Sequence, residues 1–183
     1  MNTLTDNAIM LRVKAGDVDR MGLLFERYHR PLYGFLFHMT WRREASEDMV
    51  QQVFYKMLKY RHTFTGEGEF ATWMYQVARN LLKDEAKKQQ RTSYHHSLDA
   101  FSERPGGEAT PGERLESKEA KAGLHQAIKR LTEEHREVLV LHKFQELKSR
   151  EIAEILDMTE GAVRVRICRA MQELKNIYHQ VKN

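Results

Sequence analysis

Seven residues between positions 159 and 169 have types suited to reading duplex DNA: Thr159, Gly161, Arg164, Val165, Arg166, Cys168 and Arg169. A threonine can open a helix by accepting a hydrogen bond from the backbone of its first turn. Arginines reach guanine edges and phosphates in the major groove. At about 100° per residue, Val163, Ile167, Ala170, Leu174 and Ile177 share one side of such a helix. Met171 and Tyr178 flank that stripe. Gly161, Arg164, Val165, Cys168, Arg169 and Gln172 fall on the other side. Just upstream, Ser149 is placed to cap "REIAEILD", whose Ile152, Ala153, Ile155 and Leu156 pack inward, and "DMT" makes a short turn. The pattern predicts a helix-turn-helix whose last helix can lie in a major groove. An ordinary helical hairpin with a charged exterior is the plain alternative. Caps, turn length, a small residue at 161 and arginine placement together favour the DNA reader.

A second basic segment, "FATWMYQVARNLLKDEAKKQQR", begins at Phe70. Phe70, Met74, Val77 and Leu81 form its apolar stripe, with Trp73 beside it. Thr72, Gln76, Arg79, Asn80, Lys83 and Lys87 gather on the opposite side. Cations with an amide suit a single strand's backbone and the edge of an unpaired base. A solvated helix would share this composition.

The elements that must hold these faces are helical. Of 183 residues 41% are hydrophobic, 31% are charged and only three are proline, so a core is available and most helices should have a wet face. The net charge is +4, with weakly basic blocks flanking an acidic stretch from 91 to 117. Four helices are expected before residue 91. The first covers about Thr5 to Ala15. The second starts near Asp17 and should bend at Pro31. The third, "EASEDMVQQVFYKMLKY", buries Met49, Val50, Val53, Phe54, Met57 and Leu58, and a loop, "RHTFTGEGE", precedes the fourth. From Arg91 to about Glu116 the periodicity vanishes, and two prolines and three glycines mark an extended linker. Helices return from Lys118, with Thr132 as the N-cap of "EEHREVLVLHKFQ". Cys168 has no disulfide partner, which fits a reducing compartment. No apolar run approaches the roughly 20 residues of a membrane span. The expectation is an all-α protein of two small domains in the cytoplasm, with no membrane insertion.

Three stretches, "ASEDMVQQVFYKMLKY", "TFTGEGEFATWMYQVARNLLKD" and "HREVLVLHKFQELKSREIAEILDMTEGAVRVRICRA", in this order, resemble the extracytoplasmic-function (ECF) sigma factors, the small group of the bacterial sigma-70 family. The resemblance covers nearly the whole chain. It implies a region 2 domain over 1–91, a linker over 92–117 that threads the polymerase's RNA exit path, and a region 4 domain over 118–183. It implies that Asp48, Gln51 and Gln52 dock on a coiled coil of the largest subunit of core RNA polymerase; Gln52 stands where the family usually has Glu. It gives the loop from His62 to Glu69, with Phe64 in it and Asn80 beside it, to reading the melted minus-ten element, where a base is flipped into a pocket; Trp73 and Phe70 match positions that support this loop, and Thr72, Gln76, Arg79 and Lys83 complete the candidate reader. It gives the seven residues of the last helix to the minus-thirty-five element, with Val165 at a place often held by Ser. The implied partners are core polymerase, promoter DNA and an anti-sigma protein. No catalytic residue, cofactor or metal is expected.

Two other readings compete. A stand-alone helix-turn-helix regulator would pair as a dimer on two half-sites, and would leave "SEDMVQQVF" and the Trp-Asn helix without work. A metal-dependent enzyme is prompted by nine histidines and by His95 beside His96. Those two lie in the linker without ligand spacing.

Overall fold

The computed structural model describes residues 4–92 and 114–182, all helix, turn and loop, with no strand among them. Thr5 accepts from the Ala8 amide at 3.3 Å and opens α1, Asp6–Lys14. After a tight turn at Gly16 (φ 114°) and a 3-10 turn at Val18–Arg20, α2 runs from Met21 to Thr40. It is a single helix through Pro31. Trp41 ends it in the left-handed region (φ 56°), its amide returning to the Phe37 carbonyl at 2.7 Å. α3 is Arg43–Lys59, and α4, after the loop, is Phe70–Thr92. Phe35, Leu36, Val53, Met57, Phe70 and Met74 lie within the core of this four-helix unit, each shielded from solvent.

α5 spans Arg114–Arg130, so it starts inside the segment expected to be linker. α4 likewise ends inside that segment, at Thr92, and residues 93–113, with His95 and His96, lie outside the described residues. α6, Glu133–Leu139, continues as a π-helical turn, Val140–Phe144. Such turns are rare and occur mostly as single-turn bulges within α-helices. Thr132 holds the N-cap position of α6, but its hydroxyl makes no capping bond. α7 is Ser149–Leu156, and its cap lies one residue earlier than expected. Ser149 is already helical; the Glu151 carboxylate reaches back to the Lys148 amide at 2.7 Å and satisfies the helix start in its place. α8 runs from Glu160 past Tyr178 to Lys182.

The two helical units touch. α7 rests on α4, and the π turn rests on α2. Their apolar cores are continuous.

Candidate nucleic-acid interface

α7, a turn and α8 form the expected helix-turn-helix. Asp157 makes the turn in the left-handed region (φ 55°), and the Met158 amide returns to the Ala153 carbonyl at 3.0 Å. Thr159 then caps α8, accepting from the Ala162 amide at 3.2 Å. Caps of this kind contribute about 1 kcal/mol. Val163 and Ala170 are fully buried, and Ile152, Ile155 and Leu156 face them from α7. That packing turns Thr159, Gly161, Arg164, Val165 and Arg169 to solvent. The three arginines are not equivalent. Arg164 pairs with Glu160 one turn earlier on the surface. Arg166 is half-buried and reaches Glu134 of α6 at 3.3 Å. Arg169 makes no ion pair among the described residues. Cys168 is exposed, as expected, but it lies on the flank facing α5, beside Leu124, Ile167 and Met171.

The α4 residues divide. Asn80, Lys83 and Lys87 are exposed, as the periodicity predicts. Phe64 and Thr72 are buried, which corrects their placement on a reading surface. Phe64 packs its ring on Trp73 (5.2 Å) and on Phe70 (6.3 Å) and anchors the loop. Thr72 is enclosed, its Oγ1 without a partner. Gln76 and Arg79 are partly covered, because α7 and α6 pack where a lone amphipathic helix would meet water. Gln76 Nε2 donates to the Glu154 carbonyl of α7 at 3.0 Å, and Arg79 Nε donates to Glu137 of α6 at 2.9 Å. Burial, the largest cause, pushes the Glu137 carboxyl upward, with Arg79 pulling the other way. Tyr75 lies on the same seam, donating to Gln145 Oε1 at 2.7 Å; burial raises its phenol. Helical periodicity reads one buried stripe per helix and has no view of a second unit covering the other side.

The seam continues to the end of α2. There the His38 ring meets Phe144 at 4.5 Å and His125 at 6.1 Å. His38 Nδ1 bonds the Gly34 carbonyl at 2.7 Å, while Nε2 is buried without a partner. Burial first, then His125 and Arg136, lower its pKa, against the hydrogen bond to Gly34.

On α3, Asp48, Gln51 and Gln52 are exposed on one face, away from the buried Met49, Val53 and Met57. Tyr55 extends this face by one turn with 66% of its surface in solvent. Its spacing from Asp48 and Gln51 is visible in the sequence, so the exposed aromatic was there to be found.

Among the described residues no three His, Cys, Asp or Glu side chains gather as a metal site, and no helix is long and apolar enough to cross a membrane.

The two helical units correspond to two known modules. Sigma-70 region 2 matches residues 24–92, and Sigma-70, region 4 matches residues 121–174. The ECF RNA polymerase sigma-E factor of Haemophilus influenzae is 32% identical over 94% of this chain and 95% of its own length. That of Escherichia coli K12 is 29% identical, covering 94% of each. Bacillus subtilis SigW is 28% identical over 90% of this chain and 91% of its own. The fold is similar to that of CnrH, solved with the cytosolic domain of CnrY, with a TM-score of 0.73 at 19% identity over 96% of this chain and 97% of the other. This chain belongs to the ECF group of the sigma-70 family, the RNA polymerase sigma factors that direct promoter recognition and transcription initiation.

Proposed function

We propose that the chain assigns its surfaces as follows. The N-terminal unit, residues 1–91, binds core polymerase through Asp48, Gln51, Gln52 and Tyr55 on α3. It captures the melted minus-ten strand with the loop from His62 to Glu69 together with Asn80 and Lys83. Gln76 and Arg79 join that surface once α7 and α6 leave it. The C-terminal unit, residues 118–183, reads the minus-thirty-five duplex with Thr159, Gly161, Arg164, Val165 and Arg169. The linker between them, 92–117, sets their reach. Tethering two readers raises the effective concentration of the second contact. Capture of unstacked bases offsets part of the cost of strand opening, a few kcal/mol per base. Work of this kind is binding rather than catalysis, and it is done in the cytoplasm. A small anti-sigma protein is the further partner. CnrH in complex with CnrY, and RpoE of Bartonella quintana in complex with the anti-sigma factor NepR, support that reading.

The observation that carries the proposal is the exposed basic face of α8, capped by Thr159 and held outward by Val163 and Ala170. The test is transcription from a random promoter library by sigma-free core polymerase with and without the chain. Transcripts starting a fixed distance from two separated elements are expected. Dimeric binding to a palindrome, with no transcription conferred on core polymerase, would favour a stand-alone regulator instead.

A further inference from the structure

One face of α1 is given over to the loop between α3 and α4. Asn7, Leu11 and Lys14 stand at i, i+4 and i+7, so they line one side of the helix. The Asn7 carboxamide makes three bonds to the loop. Its Nδ2 donates to the Gly68 carbonyl at 2.7 Å and to the Gly66 carbonyl at 3.3 Å. Its Oδ1 accepts from the Phe70 amide at 2.8 Å, at the first residue of α4. Lys14 Nζ donates to the Phe64 carbonyl at 2.6 Å. Leu11 packs on Gly66, where a Cβ would meet its Cδ2 at 3.3 Å. The carbonyls of residues 64, 66 and 68 are thus all held from α1, and the side chains of Thr65, Glu67 and Glu69 point to solvent. Gly66 (φ 81°) and Gly68 (φ 78°) supply the left-handed conformations this alternation needs. A loop rich in glycine would otherwise be free to sample many shapes, and a reader of bases must hold its acceptors still.

We propose that Asn7 is a positioning residue for base selection: it fixes the shape in which the 65–69 loop meets an unpaired base, without touching DNA itself. This rests on the loop being the single-strand reader. Asn7→Asp separates the parts of its role. The carboxylate still accepts from the Phe70 amide, and a negative charge in the first turn of α1 is tolerated by the helix dipole. The donor facing the Gly66 and Gly68 carbonyls becomes an acceptor, and the loop is released.

The experiment is selection from promoters randomised at both elements, using core polymerase with the full chain as wild type, Asn7→Asp, Asn7→Ala or Glu67→Ala. Unfolding midpoint, polymerase affinity and loop amide exchange are measured alongside. For Asn7→Asp we expect faster exchange over 65–70, polymerase affinity within about twofold of wild type, an unchanged minus-thirty-five preference, and about tenfold weaker discrimination in the minus-ten element. Unchanged minus-ten discrimination in both Asn7 variants, with Glu67→Ala altering it, overturns the role of Asn7 and leaves the loop's role standing. No change in any of the three variants overturns both. Equal loss of preference at both elements is a general folding defect and counts against positioning.

Discussion

Arg79 of α4 and Glu137 of α6 meet at 2.9 Å across the seam between the two helical units, with 19% and 11% of their side chains exposed. Burial, the largest influence, leaves the Glu137 carboxyl above its ordinary range although Arg79 pulls it down, and a buried ion pair of this kind is weak evidence for stability. Its value lies in register. The apolar core along α4 and α7 supplies attraction, and the ion pair sets which faces meet.

A charge swap tests this relationship. Glu137→Lys places two cations together, and the full chain should expand, read as a larger radius of gyration by small-angle scattering. Adding Arg79→Glu should restore the compact form. If the single variant stays as compact as wild type, the pair does not set the arrangement.

His38 makes the same seam sensitive to pH. It is neutral when buried, with a bare Nε2, and its pKa lies below the ordinary 6.5. The groups facing it are His125 on α5 and Arg136 on α6, both of which oppose a second positive charge, with Trp41 and Phe144 around the ring. The unfolded chain takes up this proton at higher pH than the folded one. The stability His38 contributes is therefore present above 6.5 and is lost as pH falls from there towards the lowered value. The unfolding midpoint should hold above 6.5 and drop as pH falls below it, and His38→Phe should flatten part of that drop. A parallel profile in the variant would assign the titration elsewhere.

How far the sequence carried these features depends on the range of the interaction. The apolar stripes of α3, α4 and α8 and the cap at Thr159 are local, and periodicity and residue type reveal them. Gln76 and Arg79 look like a solvated face because nothing within α4 says that α7 and α6 will meet them. Phe64 is placed with the minus-ten reader by the family resemblance; its packing with Phe70 and Trp73, which the chain brings together across the loop, shows it to be an anchor. Ser149 is a good capping type, yet Glu151 closes the helix start one residue earlier. Asn7 reaches residues about sixty positions away, a pairing that no local pattern encodes.

The α3 face predicts a separable defect. Tyr55→Ala and Asp48→Lys alter exposed side chains and should leave the unfolding midpoint near wild type, since such surface changes usually move stability within ~0.5 kcal/mol. Exposed aromatics are enriched among residues that dominate interfaces. Polymerase affinity should fall about tenfold or more in each, measured by titration of labelled chain with core enzyme. Normal assembly in both variants would move the docking surface off α3.

The arginines of α8 should differ in what they do to DNA binding. Arg169 is exposed and free of any ion pair among the described residues, so its charge is available to a phosphate or a guanine. Arg166 is half-buried and directed at Glu134 of α6, so much of its role is to pack α8 on its neighbour. Each phosphate neutralised contributes about 0.9 to the slope of log affinity against log salt. Arg169→Ala should therefore weaken binding of the upstream duplex and lower that slope by about 1. Arg166→Ala should lower the unfolding midpoint and change the slope less. Affinities measured over a salt series for wild type and both variants decide the matter. A larger slope change for Arg166 than for Arg169 would mean that α8 enters the groove rotated toward α6, with Arg166 drawn out of its pair with Glu134.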